Sequence, residues 1–496
     1  MGTYPSYLEA VRGRVVVFDG ATGTNLQLVG LNADDFGGPA LEGCNEVLVD
    51  TRPDVIAALH ASFFEVGVDA VETDSFGSLP WVLAEYGLAE RTHELALASA
   101  RIARRVADDF AADGRPRWVA GSLGPGTKLV SLGQIAFAEL RDGYEITARG
   151  LLEGGVDLFV IETSQDLLQV KAAVIGCRRA MAAAGRAVPL QVQVTIEQTG
   201  TMLMGTETAA ALTTIDALRP DVIGLNCATG PREMSEHLRY LGAHARTPVS
   251  CLPNAGLPSV VDGRMHYDLT PAELADHHRR FVTEFGVSVV GGCCGTTPEH
   301  LAAVVEAVRD LTPAGRGDRR PEPGCASIYH HVPYDQAPSF LVVGERTNAN
   351  GSKKFREAML AGDWDTCVGM GRDQVKEGAH VLDLCADYTG ADGVADMSEL
   401  ASRFNTATTL PVMLDSTEPE VIEAGLQRLA GKPILNSVNL EEGDAPGSRL
   451  DRFLSLAAEY GAAVVCTCID TDGQARTADW KLRAARAIHD LSLIHI

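Results

Sequence analysis

Short apolar, β-branched runs alternate with amphipathic segments through the first 310 residues of the chain. Each run has the length and residue types of a buried strand, and the segments between them have helical spacing. Eight such strand–helix units in about 300 residues predict an α/β fold, a (β/α)8 TIM barrel over residues 1–311. A doubly wound open sheet is the alternative, but such sheets usually have fewer strands. The predicted strands are Val15–Phe18, Asp69–Thr73, Trp118–Gly121, Leu158–Glu162, Leu190–Ile196, Val222–Asn226, Val249–Leu252 and Val287–Val290.

The pattern stops at residue 312 and starts again after residue 338. Residues 312–338 are charged, rich in Pro and Gly and without apolar periodicity, which is typical of an interdomain linker. Five strand-like runs follow, too few for an eight-stranded barrel, so residues 339–496 predict a second TIM-type barrel, truncated at its C-terminal side. The last six residues carry no cap or turn signal, and we expect a foreign extension there. The five runs are Phe340–Val343, Val381–Leu384, Val412–Leu414, Ile434–Val438 and Ala463–Ile469.

Composition excludes some classes of function. The formal net charge is −24, which argues against sequence-independent binding to nucleic acid. No apolar stretch reaches the roughly 18 residues of a membrane helix, and the N-terminus lacks the features of a signal peptide. We therefore expect a cytoplasmic protein that does not bind a membrane. Eleven cysteines in such a chain indicate reduced thiols or metal ligands rather than disulfides.

Two adjacent cysteines, Cys293 and Cys294, follow the eighth predicted strand, and Cys227 follows the sixth. Neighbouring cysteines rarely bridge each other because the ring would be strained. In a barrel the C-terminal ends of the strands meet at one face, so the three thiols can converge. Three sulfur ligands suit an open zinc site, and zinc would hold a substrate thiol as a thiolate that attacks an alkyl donor. Buried structural thiols are the competing interpretation.

Two acidic residues, Asp19 and Glu162, also lie at predicted strand ends. In a closed barrel the eighth strand borders the first, which places Asp19 beside the cysteine pair. Both carboxylates could hold the ammonium group of an amino-acid substrate. The alternative is that each caps the following helix. The same rim carries Glu72, Asp74, Thr163, Asn226 and Asn254.

Five motifs in the first 310 residues resemble those of the homocysteine S-methyltransferase family. The resemblance implies zinc held by Cys227, Cys293 and Cys294. It also implies homocysteine recognised near Asp19, Gly20 and Glu162, and it makes Asn254 a further candidate for substrate binding. The motifs are Phe-Asp-Gly-Ala-Thr-Gly-Thr (18–24), Ile-Glu-Thr (161–163), Gly-Leu-Asn-Cys (224–227), Pro-Asn-Ala-Gly (253–256) and Gly-Gly-Cys-Cys-Gly-Thr (291–296).

The second unit is similar to the pterin-binding barrel of dihydropteroate synthases and cobalamin-dependent methionine synthases. Its motifs include Leu-Asp-Leu-Cys-Ala-Asp (382–387), Leu-Asp-Ser-Thr (414–417) and Asn-Ser-Val-Asn (436–439). Strand-end Asp and Asn side chains match the donors and acceptors of a pterin ring. Cys385 stands where the family commonly has Asn, which puts one polar contact with the folate in question. By resemblance the pterin contacts are Asp383, Asp415, Asn436 and Asp470, with Glu345 and Asn348 at the pocket rim.

The order of the two units resembles the N-terminal part of cobalamin-dependent methionine synthases. That family makes methionine from homocysteine and 5-methyltetrahydrofolate through methylcobalamin. No Asp-x-His-x-x-Gly motif occurs in the chain, so the resemblance implies that cobalamin is held by a module absent from this chain. Two alternatives remain open: a stand-alone homocysteine S-methyltransferase using betaine or S-methylmethionine, and an inert folate- or thiol-binding fragment.

Overall fold

A computed structural model describes residues 6–261, 264–337 and 339–495. Eight parallel strands form one sheet in the order β1–β10–β7–β6–β5–β4–β3–β2. A parallel bridge between Phe18 and Ala70 joins the first strand to the last, so the sheet closes into the predicted barrel. The strands are β1 (Val16–Val17), β2 (Ala70–Glu72), β3 (Trp118–Leu123), β4 (Leu158–Ser164), β5 (Leu190–Val194), β6 (Val222–Asn226), β7 (Val249–Leu252) and β10 (Val287–Val290), with a separate antiparallel pair, β8 (Pro258–Val261) and β9 (Arg264–Tyr267), after β7.

Helices cover the outside of the barrel, which is why its strands are continuous apolar runs buried on both faces. The eight predicted strands are confirmed, with ends that differ by up to two residues. The antiparallel β8–β9 pair was not predicted, because a hairpin within a loop leaves no barrel-strand pattern. The helices are α1 (Tyr7–Gly13), α2 (Thr22–Val29), α3 (Leu48–Thr51), α4 (Pro53–Glu65), α5 (Pro80–Leu83), α6 (Thr92–Phe110), α7 (Phe137–Gly154), α8 (Leu167–Ala184), α9 (Thr208–Ala217), α10 (Pro231–His244), α11 (Pro271–Arg280) and α12 (Pro298–Val308).

The second unit is an open sheet of five parallel strands in the sequential order β13 to β17. The five predicted strands are confirmed as β13 (Val343–Gly344), β14 (Val381–Leu384), β15 (Val412–Asp415), β16 (Ile434–Val438) and β17 (Ala463–Cys466). The predicted linker contains an antiparallel pair, β11 (Gly324–Ala326) and β12 (His331–Pro333), which its irregular composition did not indicate. A last pair, β18 (Ile469–Asp470) and β19 (Gly473–Gln474), follows β17. The helices are α13 (Lys353–Leu360), α14 (Trp364–Lys376), α15 (Gly393–Ala407), α16 (Pro419–Leu426), α17 (Arg449–Tyr460) and α18 (Ala478–His495).

Within the described parts of the chain, every helix is too short or too polar to span a bilayer.

A buried lysine joins the two units. Lys171 in α8 is fully buried, and its Nζ donates to the carbonyl oxygens of Leu429 at 2.8 Å and Gly431 at 2.5 Å. Both acceptors belong to the loop between α16 and β16. Burial lowers the pKa of Lys171 to about 7. The backbone of one unit is thus hydrogen-bonded by a side chain of the other, in a place that water does not reach.

We expect Lys171→Met to destabilise the protein at pH 9 by on the order of 2 kcal/mol, because it leaves two buried carbonyls without a donor. At that pH the amine is mostly neutral, so the substitution relieves no buried charge. Urea denaturation in the presence of a reductant measures the change. Lys376→Met, at a side chain that is 76% exposed, is the control. Equal midpoints for Lys171→Met and the native chain would contradict this role.

A buried histidine fixes the end of β10. His278 in α11 is buried, and its Nε2 lies 2.8 Å from the carbonyl oxygen of Gly291, the first residue after the strand. Burial lowers the pKa of His278 to about 4 from a usual value of 6.5. The neutral ring therefore donates to Gly291 and holds the segment that carries the paired cysteines.

This histidine predicts a loss of stability in acid. The unfolded chain takes up the proton near pH 6.5 and the folded chain only near pH 4, so unfolding becomes more favourable as pH falls between these values. The full difference is on the order of 3 kcal/mol. His278→Gln keeps a donor but does not titrate. We expect this variant to lose less free energy of unfolding than the native chain between pH 7 and pH 4, as measured by urea unfolding. His489→Gln, on the exposed side of α18, should lose as much as the native chain does.

Candidate active site

Three thiols converge at the C-terminal rim of the barrel, as the sequence predicts. Cys227 follows β6, and Cys293 and Cys294 follow β10. The three sulfur atoms lie within 4.8 Å of one another, and Cys227 Sγ is 3.8 Å from Cys294 Sγ. We call these residues the thiol site. In the described part of the chain it is the only group of three or more potential metal ligands this close together.

The backbone around the thiol site is strained and tightly held. Cys227 and Ala228 have φ angles of 55° and 58°, in the left-handed region that costs a non-glycine residue about 1 kcal/mol or more. The Cys227 amide donates to Leu252 O at 3.1 Å, and the Cys293 amide donates to Pro253 O at 2.8 Å. Both anchors lie at the end of β7, the strand between β6 and β10. This strand therefore fixes the sulfur positions from both sides.

The donor set of the thiol site fits zinc. Hydrogen bonds from the thiols of Cys227 and Cys293 lower the pKa of Cys294, so the site favours an anionic sulfur. The thiolate is the form that binds metal. A tetrahedral ion about 2.3 Å from each sulfur needs sulfur atoms about 3.8 Å apart, which agrees with the Cys227–Cys294 distance. Three protein sulfurs also leave the fourth position open for a substrate.

A cavity of about 250 Å³ opens beside the thiols. Its wall includes all three cysteines together with Gly20 and Glu162, which the sequence also predicts as site residues. A Cβ at Gly20 would come within 2.5 Å of Thr296 Oγ1, so glycine is required for this close approach. Asp19 and Asn254 are buried near the same strand ends but do not line the cavity.

Three carboxyl groups lie together at the ends of β1, β2 and β4. Glu162 accepts from Ser122 Oγ at 2.5 Å and from Asn226 Nδ2 at 3.1 Å. Asp19 accepts from the Glu72 amide at 3.0 Å. Burial raises the pKa of all three carboxyl groups, that of Glu162 to about 7, and the charges of Glu162 and Asp19 add to the shift at Glu72.

Among the described residues of the cavity wall, no basic side chain pairs with these three carboxyl groups. Asp19 Oδ1 and Glu72 Oε1 are buried and have no hydrogen-bond partner among the described residues. No Lys, Arg or His stands among the described residues that line the cavity. Unpaired buried acceptors are costly, so the arrangement favours a ligand that brings positive charge and N–H donors. An amino-acid ammonium group has both properties.

Asn254 offers another unpaired acceptor. Its side chain is buried, and its Oδ1 has no partner in the described residues. Its backbone N–H donates to Thr229 O at 3.1 Å. It directly follows Pro253, whose carbonyl holds Cys293. Its predicted role in substrate binding stays a prediction.

The sequence did not point to every residue of the cavity. Glu46, in a 3-10 turn directly before α3, lines the wall and accepts from the Gly77 amide at 2.7 Å, and Ser122 holds Glu162. Asp74, named only as a rim residue, has a buried Oδ2 without a partner in the described residues. Glu46 lies far from any predicted strand end and had no positional signal. Ser122 directly follows the predicted strand Trp118–Gly121 and could have been found from that position.

A second polar group lies on the open sheet. Asn348 Nδ2 donates to Asp383 Oδ2 at 2.9 Å and to Asp415 Oδ2 at 2.8 Å. Asp383 Oδ1 is buried without a partner in the described residues, and burial raises the pKa of Asp383 to about 6. Asn436 pairs with Asp415 in the register of β15 and β16. The structure thus brings together three of the predicted pterin contacts and Asn348, which was predicted at the pocket rim.

The other residues named for the pterin pocket are the predicted contact Asp470, the rim residue Glu345, and Cys385, which stands where the family commonly has Asn. Asp470 lies on β18, and its hydrogen bonds are with Trp480 Nε1 at 2.5 Å and the Asp472 amide at 3.0 Å. Glu345 is exposed after β13, and its charge acts on Asp383. Cys385 is buried, and Asn350 Nδ2 lies 3.6 Å from its sulfur. The described hydrogen bonds do not join Asp470 to the Asn348 group, whereas Cys385 pairs with Asn348 in a parallel β-bridge.

Comparisons with known proteins agree with both units. Residues 16–308 match the homocysteine S-methyltransferase family, and residues 344–491 match the pterin-binding enzyme family. The chain is 54% identical over 488 residues to methionine synthase of Mycobacterium tuberculosis and 52% identical over 490 residues to that of Mycobacterium leprae. Each alignment covers 98% of this chain, which spans 40% of the length of those relatives.

Among solved structures, the metallated form of the homocysteine methyltransferase MmuM from Escherichia coli is 21% identical, with a TM-score of 0.48. The alignment covers 59% of this chain and 95% of that one. The family match extends over more than half of the chain and includes every strand of the closed barrel. The chain therefore belongs to the homocysteine S-methyltransferase family.

Proposed function

We propose that the barrel transfers a methyl group to the sulfur of homocysteine, and that the chain is the homocysteine- and folate-binding part of a cobalamin-dependent methionine synthase. The observation that carries the proposal is the thiol site beside unpaired buried carboxyl groups in one cavity. An amino acid with a thiol group would place its sulfur at the thiol site and its ammonium group beside the carboxyl groups. The sequence identity of 54% and 52% to two methionine synthases supports the same assignment.

Cys227, Cys293 and Cys294 would hold the zinc ion. Zinc bound there would lower the pKa of a substrate thiol, so that the thiol is a thiolate at neutral pH. The chain's own residues do the rest of the binding. Glu162, held by Ser122 and Asn226, and Asp19, held by the Glu72 amide, would accept hydrogen bonds from the ammonium group. Gly20 lines the same cavity and would lie near the amino-acid end of the substrate.

Binding of the ammonium group would also change the protonation of the carboxyl groups. Their raised pKa values mean that some of them hold a proton near neutral pH when no cation is present. A positive charge nearby favours the carboxylate form and lowers these pKa values. Binding of the substrate would then displace protons from the site and pair each unpaired acceptor.

The second unit would bind the pterin ring of 5-methyltetrahydrofolate. Asn348, Asp383 and Asp415 form one hydrogen-bonded group, and Asp383 has an unpaired buried oxygen that a pterin N–H could satisfy. Asn436 lies next to Asp415 in register. Asp470 and Glu345 would complete the pocket from its edge. Cobalamin would be held by a module outside this chain and would carry the methyl group between the two units. We expect the protein to be located in the cytoplasm.

Cys293→Ser is expected to abolish both metal retention and methionine formation. The test uses the zinc-loaded chain with homocysteine and free methylcobalamin, follows the cobalamin spectrum, and assays methionine and bound zinc. Loss of one of three sulfur ligands removes the donor set of the site, and we expect activity to fall by at least about 100-fold.

Cys466→Ser is the matched control, because Cys466 is an exposed thiol of the second unit, outside the thiol site. It should retain zinc and activity. No methionine from folded, zinc-loaded native chain would contradict the proposal. Activity with betaine or S-methylmethionine in place of methylcobalamin would favour a stand-alone methyltransferase.

Asp383→Asn is expected to weaken binding of 5-methyltetrahydrofolate by about 10-fold or more, since it replaces a carboxylate acceptor with an amide in a buried position. Isothermal titration calorimetry measures the affinity. Asp373→Asn, an exposed carboxylate of α14 that pairs with Lys376, is the control. Unchanged affinity in Asp383→Asn would remove this residue from the pterin site.

A further inference from the structure

Asn226 joins two strands that are not neighbours in the barrel. It is the last residue of β6, and β5 lies between β6 and β4. Its Oδ1 accepts from the Thr163 amide at 2.7 Å. Its Nδ2 donates to Thr163 Oγ1 at 2.8 Å and to Glu162 Oε2 at 3.1 Å. The side chain is fully buried, and these bonds give a partner to its oxygen and to each of its two N–H groups.

The orientation of this side-chain amide follows from its partners. A backbone N–H can only donate, so the oxygen of Asn226 faces the Thr163 amide. Nδ2 is then directed at Glu162, whose ionised carboxylate can only accept. A reversed amide would place two donors against each other at Thr163 and two acceptors against each other at Glu162. The contact therefore favours the carboxylate that faces the substrate cavity.

The end of β4 depends on this side chain because regular strand pairing is interrupted there. The register between β4 and β5 shifts between Ile161 and Ser164, as it does at a β-bulge. Thr163 lies within this interruption with a φ angle of 54°, in the left-handed region. That conformation costs about 1 kcal/mol or more and persists only where the surroundings impose it. The bonds from Asn226 impose it, and they act directly beside Glu162.

The backbone of Asn226 continues into the thiol site. Cys227 and Ala228 follow it, and both have left-handed φ angles. Together with Thr163 they are three of the four non-glycine residues with positive φ in the described part of the chain, so the backbone strain is concentrated around Asn226. Its side chain holds one strained segment and its backbone begins the other. One residue thus fixes the Glu162 carboxylate relative to a sulfur ligand.

We propose that Asn226 is a positioning residue that sets the spacing between Glu162 and the thiol site, so that the barrel prefers a thiol carrying an α-ammonium group. The inference rests on the proposed function, in which Glu162 receives the ammonium group and Cys227 holds zinc. A substrate held at both ends gains from both contacts only when their spacing matches its own length. Ser122 holds the other oxygen of Glu162 from β3, whereas Asn226 belongs to the strand that leads into Cys227.

Asn226→Asp tests the inference with two substrates, homocysteine and 4-mercaptobutanoate, which is homocysteine without its amino group. The assay uses the zinc-loaded chain with free methylcobalamin and compares kcat/KM for the two thiols. The substitution keeps an acceptor for the Thr163 amide but replaces both N–H donors with a carboxylate that faces Glu162. We expect the preference for homocysteine to fall about 10-fold, with bound zinc unchanged.

Asn226→Ser is the second variant, because serine is neutral and too short to make the same bonds to β4. It should lose the preference for homocysteine without adding a charge. Asn32→Asp is the control, at an exposed asparagine outside the cavity wall, and should keep the native preference. Bound zinc and the urea midpoint are measured for each protein, so that loss of the fold or of the metal is recognised.

The outcomes separate this inference from the proposed function. If the zinc-loaded native chain methylates both thiols equally well, the ammonium site itself is wrong and the role of Asn226 is wrong with it. If the native chain prefers homocysteine and both folded variants retain that preference, only the role of Asn226 is overturned. The same holds if the variants lose zinc and kcat/KM falls equally for both thiols, because Asn226 would then support the metal site alone.

Discussion

Closure of the parallel barrel is the constraint on which the site depends. The bridge between Phe18 and Ala70 places β1 between β2 and β10, so the carboxyl groups at the C-terminal ends of β1, β2 and β4 share a rim with the sulfurs that follow β6 and β10. Parallel strands all end at the same face, and closure turns that face into a ring. Residues more than 270 positions apart, such as Gly20 and Cys294, thereby line one cavity.

The site brings together ionisable acidic groups that have no cationic partner among the described residues of the cavity wall. Three potential thiolates and the carboxyl groups of Asp19, Glu72 and Glu162 meet with no basic residue among the described residues of the cavity wall. Burial makes this arrangement costly in the free chain, as the raised carboxyl pKa values show. A metal ion and an ammonium group each remove part of the cost. The rest of the fold therefore offsets the free-energy cost of burying these acidic groups, and binding of cations would reduce that cost.

Most of the fold could be predicted because buried parallel strands leave an apolar run whatever their neighbours are. The cysteines, Asp19 and Glu162 could be predicted for the same reason, since each lies at the end of such a run or within a few residues after it. Glu46 and the β8–β9 hairpin could not, because loop conformation depends on contacts rather than on periodicity. Asp470 was assigned by resemblance, and its bonds with Trp480 and Asp472 depend on α18 and on a turn that no pattern revealed.

The two units differ in how completely their sites are enclosed. Asn348, Asp383 and Asp415 come from the segment after β13 and from β14 and β15, three neighbours at one side of the open sheet. Their hydrogen bonds form without any strand beyond β17. Asp470 lies past β17, where the sheet has an open edge, and is held by α18 instead. One half of the predicted pterin pocket is therefore built by adjacent strands, whereas the other half depends on how the edge of the sheet is covered.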